Sequence, residues 1–315
     1  MPESLPVIAR LAPTPSGYLH LGNAVNFVLT WLLARRVVPG RVVPGRVVPG
    51  RADGVLHLRI DDLDRARLRP AYLDNIFRVI DWLGLDYDHG PSGPDDFLRH
   101  HSQMLHLPEY NTVLRRLALS GTTQQPGLVR ASTRSRTSET AAAASLDTPG
   151  AAWRAHVPAG TEISWPDAGQ GETRVPLGAL MPDFVIRRKD GVAAYQVASV
   201  VDDLRLGTNL IVRGLDLQPS TAAQLWLAGQ LSETAAFNAT RIQFLHHPLL
   251  LNEAGQKLSK SGPLPLDAGV LAQARGKQAV WQAVAELLKL PAAAAESLPM
   301  LQQHFCSVKL PLHSF

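Results

Sequence analysis

The chain has almost no cysteine, little lysine and no long apolar run. Its 315 residues hold one cysteine, Cys306, which excludes an internal disulfide framework and any zinc site built from cysteines. No uninterrupted apolar stretch approaches the roughly 20 residues of a membrane span, and the N-terminus lacks a basic start followed by an apolar core. A cytoplasmic protein without membrane contact is therefore expected. Hydrophobic residues make up 45% and charged residues 18%, the composition of a globular rather than a disordered chain. The length is enough for one large α/β domain with an appendage.

The shortage of lysine is informative. Only six of 31 basic residues are lysines, yet two of them, Lys257 and Lys260, fall in the five residues KLSKS, with Gly255 before and Gly262 after. A compact ammonium suits a polyphosphate, whereas an arginine fork suits a planar carboxylate. Glycine-flanked loops can close over a ligand; a solvated surface loop is the plainer reading of these five residues alone. A second string, PTPSGYLHLGN at Pro13–Asn23, leads from an apolar, strand-like stretch (Pro6–Ala12) into an amphipathic run (Asn23–Arg35). A strand, loop and helix start gathers unpaired N–H groups and a helix dipole, a natural place for phosphate. There His20 can donate a hydrogen bond, and Gly22 leaves room for a flat base. Taken together, the two strings describe an ATP site.

The formal charge of +4 and pI near 9.4 are compatible with a nucleic-acid partner without requiring one. Arginine clusters at Arg65, Arg67 and Arg69, at Arg130, Arg134 and Arg136, and at Arg187 and Arg188 are either phosphate contacts or dispersed surface charge.

Strand-like and helix-like patterns alternate along the chain. Strands are expected at Val55–Ile60, Phe184–Arg187, Tyr195–Val201, Leu210–Val212 and Ile242–Leu245. Helices are expected at Pro70–Leu83, Pro108–Leu119, Ser220–Leu231 and within Asp267–Leu290. This alternation fits an α/β fold with a doubly wound parallel sheet, which binds ligands beyond the carboxyl ends of its strands. Two stretches interrupt it. From Arg36 to Gly50 the unit RVVPG occurs three times in tandem, a string of Pro-Gly turns that forbids helix and reads as a duplicated loop. Ser120–Gly150, rich in Ser, Thr, Ala and Gly, reads as a flexible insertion.

With HLGN and KLSKS placed, the chain resembles the class I aminoacyl-tRNA synthetases, whose HIGH and KMSKS signatures these strings match. RLAPTPSGYLHLGN, LRIDDLDR at Leu58–Arg65, WLGLDYDHGP at Trp82–Pro91, DFVIRRKDGVAAYQVASVVDD at Asp183–Asp203 and IVRGLDL at Ile211–Leu217 are similar to the glutamate branch. Only 54 residues follow Ser261, which points to the short members of that branch, without the anticodon-binding part. The resemblance implies a Rossmann-like catalytic domain over residues 1–262, a loop at 36–51, an inserted acceptor-type subdomain at about 108–180 and a short helical region at 263–315. It also implies activation of L-glutamate by ATP with Mg²⁺, transfer to the queuosine base of tRNA(Asp), and action as a monomer.

By the same resemblance His20, Gly22, Asn23, Lys257 and Lys260 hold ATP, with His20, Lys257 and Lys260 catalytic. Arg10, Ala12, Thr14, Asp61, Tyr195 and Arg213 form the glutamate pocket: Asp61 takes the ammonium, Tyr195 and the arginines take the carboxylates. Asp202 and Asp203 either cap or brace the pocket. The adjacent His246 and His247 would point to opposite faces of a strand, which argues against a shared metal.

Three departures stand out. Asn23 ends the HIGH-like string, Asp61 is a methylene shorter than the glutamate usual there, and Ser132, Thr133 and Arg134 stand where relatives carry a Cys-x-Cys zinc knuckle, so no zinc is expected. Two rivals stay open: a truncated enzyme that charges the tRNA 3′ end, and a non-catalytic paralogue that binds tRNA or nucleotide.

Overall fold

Short leucine- and β-branched-rich runs pair into a parallel sheet, and longer amphipathic segments cover both of its faces. The computed structural model describes residues 6–36, 54–120, 128–133, 143–250, 269–272 and 276–308. In chain order the elements are β1 (Ile8–Leu11), α1 (Leu21–Ala34), β2 (Val55–Leu58), α2 (Pro70–Leu83), α3 (Pro94–Asp96), α4 (Leu107–Ser120), β3 (Val129–Ser132), β4 (Ala143–Ala144) and β5 (Ala152–His156). They continue with β6 (Ile163–Asp167), β7 (Gly171–Val175), α5 (Leu177–Leu180), β8 (Asp183–Arg187), α6 (Tyr195–Arg205), β9 (Leu210–Gly214), α7 (Gln218–Ala228), β10 (Gln243–His247), α8 (Gly276–Leu287) and α9 (Leu298–Phe305).

Six strands form one sheet in the order β2-β1-β9-β10-β6-β7. All neighbours are parallel except the β6–β7 hairpin. This is a Rossmann-like α/β sheet. The period of two along a strand sends Leu210 and Val212 of β9 into the core under α1, α2, α8 and α9, and Ile211 into the core under α4, α6 and α7. Burial on both faces is why these strands read as continuous apolar runs. α2 shows the helical counterpart: Leu73, Ile76, Val79, Ile80 and Leu83 are buried on one stripe, and Gly84, at φ +73°, ends the helix in the left-handed region.

β4, β3, β5 and β8 form a second, antiparallel sheet. β6 and β7 fall between β5 and β8 in sequence, yet β6 pairs with β10 at the edge of the large sheet. The 108–180 segment thus contributes strands to both sheets.

Several expectations need correction. Tyr195–Val201, expected as a strand, is the first part of helix α6; Val197, Ala198 and Val200 are buried at helical spacing, and the run of valines imitated β propensity. Ser120–Gly150 is not uniformly irregular, because β3 and β4 lie within it; residues 121–127 and 134–142 are outside the described ones. The helical expectation at 267–290 holds for α8, preceded by one turn of 3-10 helix at Val270–Ala272. The RVVPG repeat, apart from Arg36, lies outside the described residues. Its flanks meet at the end of α1: Arg35 Nη1 donates to Gly54 O at 3.0 Å, and a Cβ on Gly54 would stand 2.1 Å from Ala34 O. Among the described residues no helix is long and apolar enough to cross a membrane.

Candidate active site

A cleft opens beyond the carboxyl ends of β1, β9 and β10, where an open parallel sheet holds ligands. Its floor is set by α1. His20 is the N-cap: its Nδ1 accepts from Gly22 N–H at 3.1 Å, and Asn23 Oδ1 accepts from His20 N–H at 3.0 Å. This reciprocal cap explains Asn23, whose carbonyl acts as the acceptor that a capping box needs. It also leaves the ring proton of a neutral His20 on Nε2. One expectation changes here: the N–H groups of Gly22, Asn23 and Ala24 are not unpaired, since His20 Nδ1 and His20 O accept them. A Cβ on Gly22 would meet the His20 ring at 3.1 Å, so the missing side chain makes room for the cap as well as for the cleft.

The cleft encloses about 470 Å³. Arg10, Ala12, Thr14, His20, Gly22, Asn23, Asp61, Tyr195 and Arg213 all line it. Lys257 and Lys260 lie outside the described residues. The described ends of that segment are close to the cleft: Leu250 lines it, and Val270 N–H donates to Leu19 O at 2.7 Å. Tyr195, at the first turn of α6, is 40% exposed and so is not a core aromatic.

At one end of the cleft lies a network of paired charges, in which Asp203 Oδ2 is left without a hydrogen-bond partner. Arg10 Nε and Arg59 Nη1 both donate to Asp203 Oδ1 at 2.8 Å, and Arg59 grips Asp61 with Nε at 2.7 Å and Nη2 at 3.1 Å. Burial alone would raise the Asp203 carboxyl, but the charges of Arg10, Arg59 and Arg213 outweigh it and hold Asp203 below the ordinary carboxylate range. Burial pushes Asp61 the other way, above its ordinary value, against the pull of Arg59. Asp202 accepts from Tyr110 and Gln103 at 2.8 Å each and from Arg205 at 3.1 Å.

Arg213 is built differently. It is 3% exposed, and its Nη1 donates to two neutral acceptors, Thr221 Oγ1 at 3.0 Å and Gln224 Oε1 at 2.7 Å. Its Nε and Nη2 have no hydrogen-bond partner. Burial lowers its pKa below the ordinary arginine value, the mark of a cation short of an anion.

The opposite end is mostly apolar, with Phe27, Leu217, Leu249 and Leu250, and carries Asp216. His247 sits here with Nε2 accepting from Asn26 Nδ2 at 3.2 Å and Nδ1 donating to Pro248 O at 2.9 Å. His246 points to the other face, toward Asp167 and Thr221. An apolar shelf with one acid and a capped helix start fits a nucleoside triphosphate. Among the described residues no group of three or more His, Cys, Asp or Glu could hold a metal ion. Of the three residues at the knuckle position, Thr133 O accepts from Lys189 Nζ at 2.9 Å, and Arg134 lies outside the described residues.

Sequence reasoning passed over Arg59, Thr221 and the Asp167–His246 pair. Arg59 had a signal: in an extended stretch it shares a face with Asp61, two residues on. The others had none, because their partners come from distant segments.

The chain matches the family model of tRNA synthetases class I (E and Q), catalytic domain, over residues 6–123 and 122–265. It is 34% identical to the glutamyl-Q tRNA(Asp) synthetase of Symbiobacterium thermophilum, covering 86% of this chain and 83% of that protein. It is 33% identical to the one of Pseudomonas aeruginosa, covering 96% and 95%. The glutamate–tRNA ligase of Synechococcus sp. is 32% identical, covering 81% of this chain and 51% of the ligase. Among solved structures, the glutamate tRNA ligase of Elizabethkingia meningosepticum in complex with its amino acid superposes with a TM-score of 0.67 at 18% identity, over 99% of this chain and 66% of that one. The glutamate–tRNA synthetase of Elizabethkingia anophelis gives 0.60 at 21%, over 81% of this chain and 52% of that one, so this chain spans about half its length. Motif strings, parallel sheet and family match agree: the chain belongs to the class I tRNA synthetases for glutamate and glutamine, and carries their catalytic domain.

Proposed function

We propose that this chain activates L-glutamate with ATP and transfers the glutamyl group to the queuosine base of tRNA(Asp). The observation that carries the amino-acid part is Arg213. A guanidinium in a dry wall with Nε and Nη2 unpartnered is costly to keep, and a substrate carboxylate would supply both the charge and the two acceptors. Glutamate has two carboxylates and one ammonium. Arg213, Arg10 and the Tyr195 hydroxyl are assigned to the carboxylates and Asp61 to the ammonium, with Ala12 and Thr14 shaping the wall between them.

In the first step an α-carboxylate oxygen attacks the α-phosphorus of ATP. The bond from that phosphorus to the bridging oxygen breaks, and pyrophosphate leaves; Mg²⁺ bound with ATP would supply further charge stabilisation. The nucleophile is already ionised, so no general base is required, and catalysis reduces to positioning and stabilising phosphate charge. His20 Nε2–H, Gly22 and Asn23 at the start of α1, together with Lys257 and Lys260, are assigned to ATP and the departing pyrophosphate.

The acceptor assignment is supported by the likeness to two glutamyl-Q tRNA(Asp) synthetases, 34% and 33% identical over 86% and 96% of this chain. Glutamate-dependent ATP–pyrophosphate exchange without tRNA tests the activation step, and no exchange would refute it. Labelled glutamate should then attach to tRNA(Asp) that contains queuosine and not to the same tRNA without it. Equal labelling of both would favour the tRNA 3′ end as acceptor.

A further inference from the structure

We infer that Thr221, His246 and Asp167 are positioning residues that fix the orientation of Arg213, so that only its Nε–Nη2 edge faces the cleft. This rests on the reading of Arg213 as a carboxylate receptor. The four side chains come from β9, α7, β10 and β6 and form one buried chain of hydrogen bonds. Arg213 is 3% exposed, Thr221 and His246 0%, and Asp167 3%.

The chain has one direction. Arg213 can only donate, so Thr221 Oγ1 must accept from Nη1 at 3.0 Å. At the other end the ionised Asp167 Oδ2 can only accept, which puts a proton on His246 Nδ1. In the neutral tautomer with that proton on Nδ1, Nε2 accepts the single hydroxyl proton of Thr221 at 3.0 Å. Asp167 ends the chain as an acceptor, anchored by the N–H groups of Gly169 at 2.9 Å, Gln170 at 3.1 Å and His246 at 3.1 Å and by Trp165 Nε1 at 3.2 Å. The turn that supplies two of these donors is packed tightly: a Cβ on Gly169 would lie 2.5 Å from His246 O, and Gln170 Nε2 donates to that same oxygen at 2.8 Å.

Two consequences follow from this geometry. Nη1 is consumed by Thr221 and Gln224, which leaves Nε and Nη2, the side-on fork that matches the two oxygens of a carboxylate. Thr221 and Gln224 are neutral side chains, so nothing hydrogen-bonded to Arg213 cancels its charge. A carboxamide would place a donor against that fork and leave the charge unmatched. The β6–β7 hairpin, inserted between two strands of the other sheet, thereby contributes to substrate selection without touching the substrate.

The test uses the whole chain with Thr221→Val, which keeps shape and loses the hydroxyl, and Thr221→Ser, which keeps the hydroxyl. In ATP–pyrophosphate exchange, Thr221→Val should raise KM for glutamate about tenfold, the size of one lost hydrogen bond to a charged group, with KM for ATP and kcat within about twofold. Thr221→Ser should return KM to near the unsubstituted value. A Thr221→Val enzyme with unchanged KM for glutamate, or equal losses in both variants, would overturn the inference. Nitrogen-15 spectra of His246, identified by the signals lost in His246→Gln, give a readout that needs no substrate. Nδ1 should be protonated and Nε2 not, and Nε2 should shift in both Thr221→Val and Arg213→Met. Protonation at Nε2, or no shift in Arg213→Met, would overturn it even if exchange is found. Silent exchange combined with the expected spectra would refute the glutamate reading while leaving the bonded chain in place.

Discussion

Arg10 and Arg213 lie on the neighbouring strands β1 and β9, equally buried, in surroundings of opposite character. Arg10 shares Asp203 with Arg59, and Arg59 in turn holds Asp61, so Arg10 and Arg59 each have a carboxylate within 3.1 Å. Arg213 touches only neutral acceptors and keeps two N–H groups unpartnered. Paired charges scaffold a site because removing either partner strands the other in a dry interior. An unpaired one stores an unmet demand that a ligand can satisfy. The same residue type, at the same depth, therefore faces the cleft with its charge already matched in one case and unmatched in the other.

Breaking the paired end should produce the largest effect. Asp203→Asn leaves Arg10 without its carboxylate and Arg59 with only Asp61, and should lower unfolding free energy by about 3–5 kcal/mol in urea titrations. A loss much below that would mean the pairing is dispensable. The contrast sharpens with Arg213→Met. Here the expected loss is in activity, with glutamate kcat/KM in exchange falling by about 10²–10³-fold, as for truncation of one partner of a buried charge pair. Stability should be unchanged or higher, since a stranded buried cation is replaced by an apolar side chain of similar size. A fall in melting temperature alongside activity would break the comparison and make Arg213 another scaffold residue.

His20 combines both roles, and substitution separates them. His20→Ala should lose the helix cap at a cost of about 1 kcal/mol, whereas His20→Asn should retain it. Both should lose exchange activity, because neither carries the Nε2–H. Normal exchange by His20→Asn would show that capping is the whole of its contribution.

The smallest effect is a pH dependence. Burial holds the His247 pKa below its ordinary value of 6.5, and His57 is lowered by burial and by His89. The unfolded chain thus binds protons first as pH falls, so this contribution to stability is full above about pH 6.5 and declines as pH drops toward the folded values. Urea titrations from pH 7.5 to pH 5.5, chosen as a window of about one unit either side of the unperturbed value, should show this slope, and it should be shallower in His247→Gln.

Much of the cleft was legible because its residues sit in short strings. PTPSGYLHLGN spans a strand end, a turn and a helix start, and the local geometry of that junction brings Thr14, His20, Gly22 and Asn23 to one place. Arg10, Arg213, Asp61 and Tyr195 were visible through the resemblance. The helix at Tyr195 was misread because its valines fit a strand locally, and only packing under α4 and α7 selects the helical period. Unpaired N–H groups at the start of α1 were an expectation from helix geometry in general; the side chain of His20 changes that answer in particular.

The sequence by itself determined the kind of machine: an α/β chain with a glycine-rich helix start, lysines held in reserve for one loop, and the glutamate-branch strings between them. Only the tertiary structure decided which charges are satisfied. Arg10 meets Asp203 across 193 residues, and His246 meets Asp167 across 79. Local propensity acts over a few residues and carries no record of such meetings. The balance between a buried charge and its partner is a property of three-dimensional neighbours, and that balance is what separates the paired Arg10 from the unpaired Arg213.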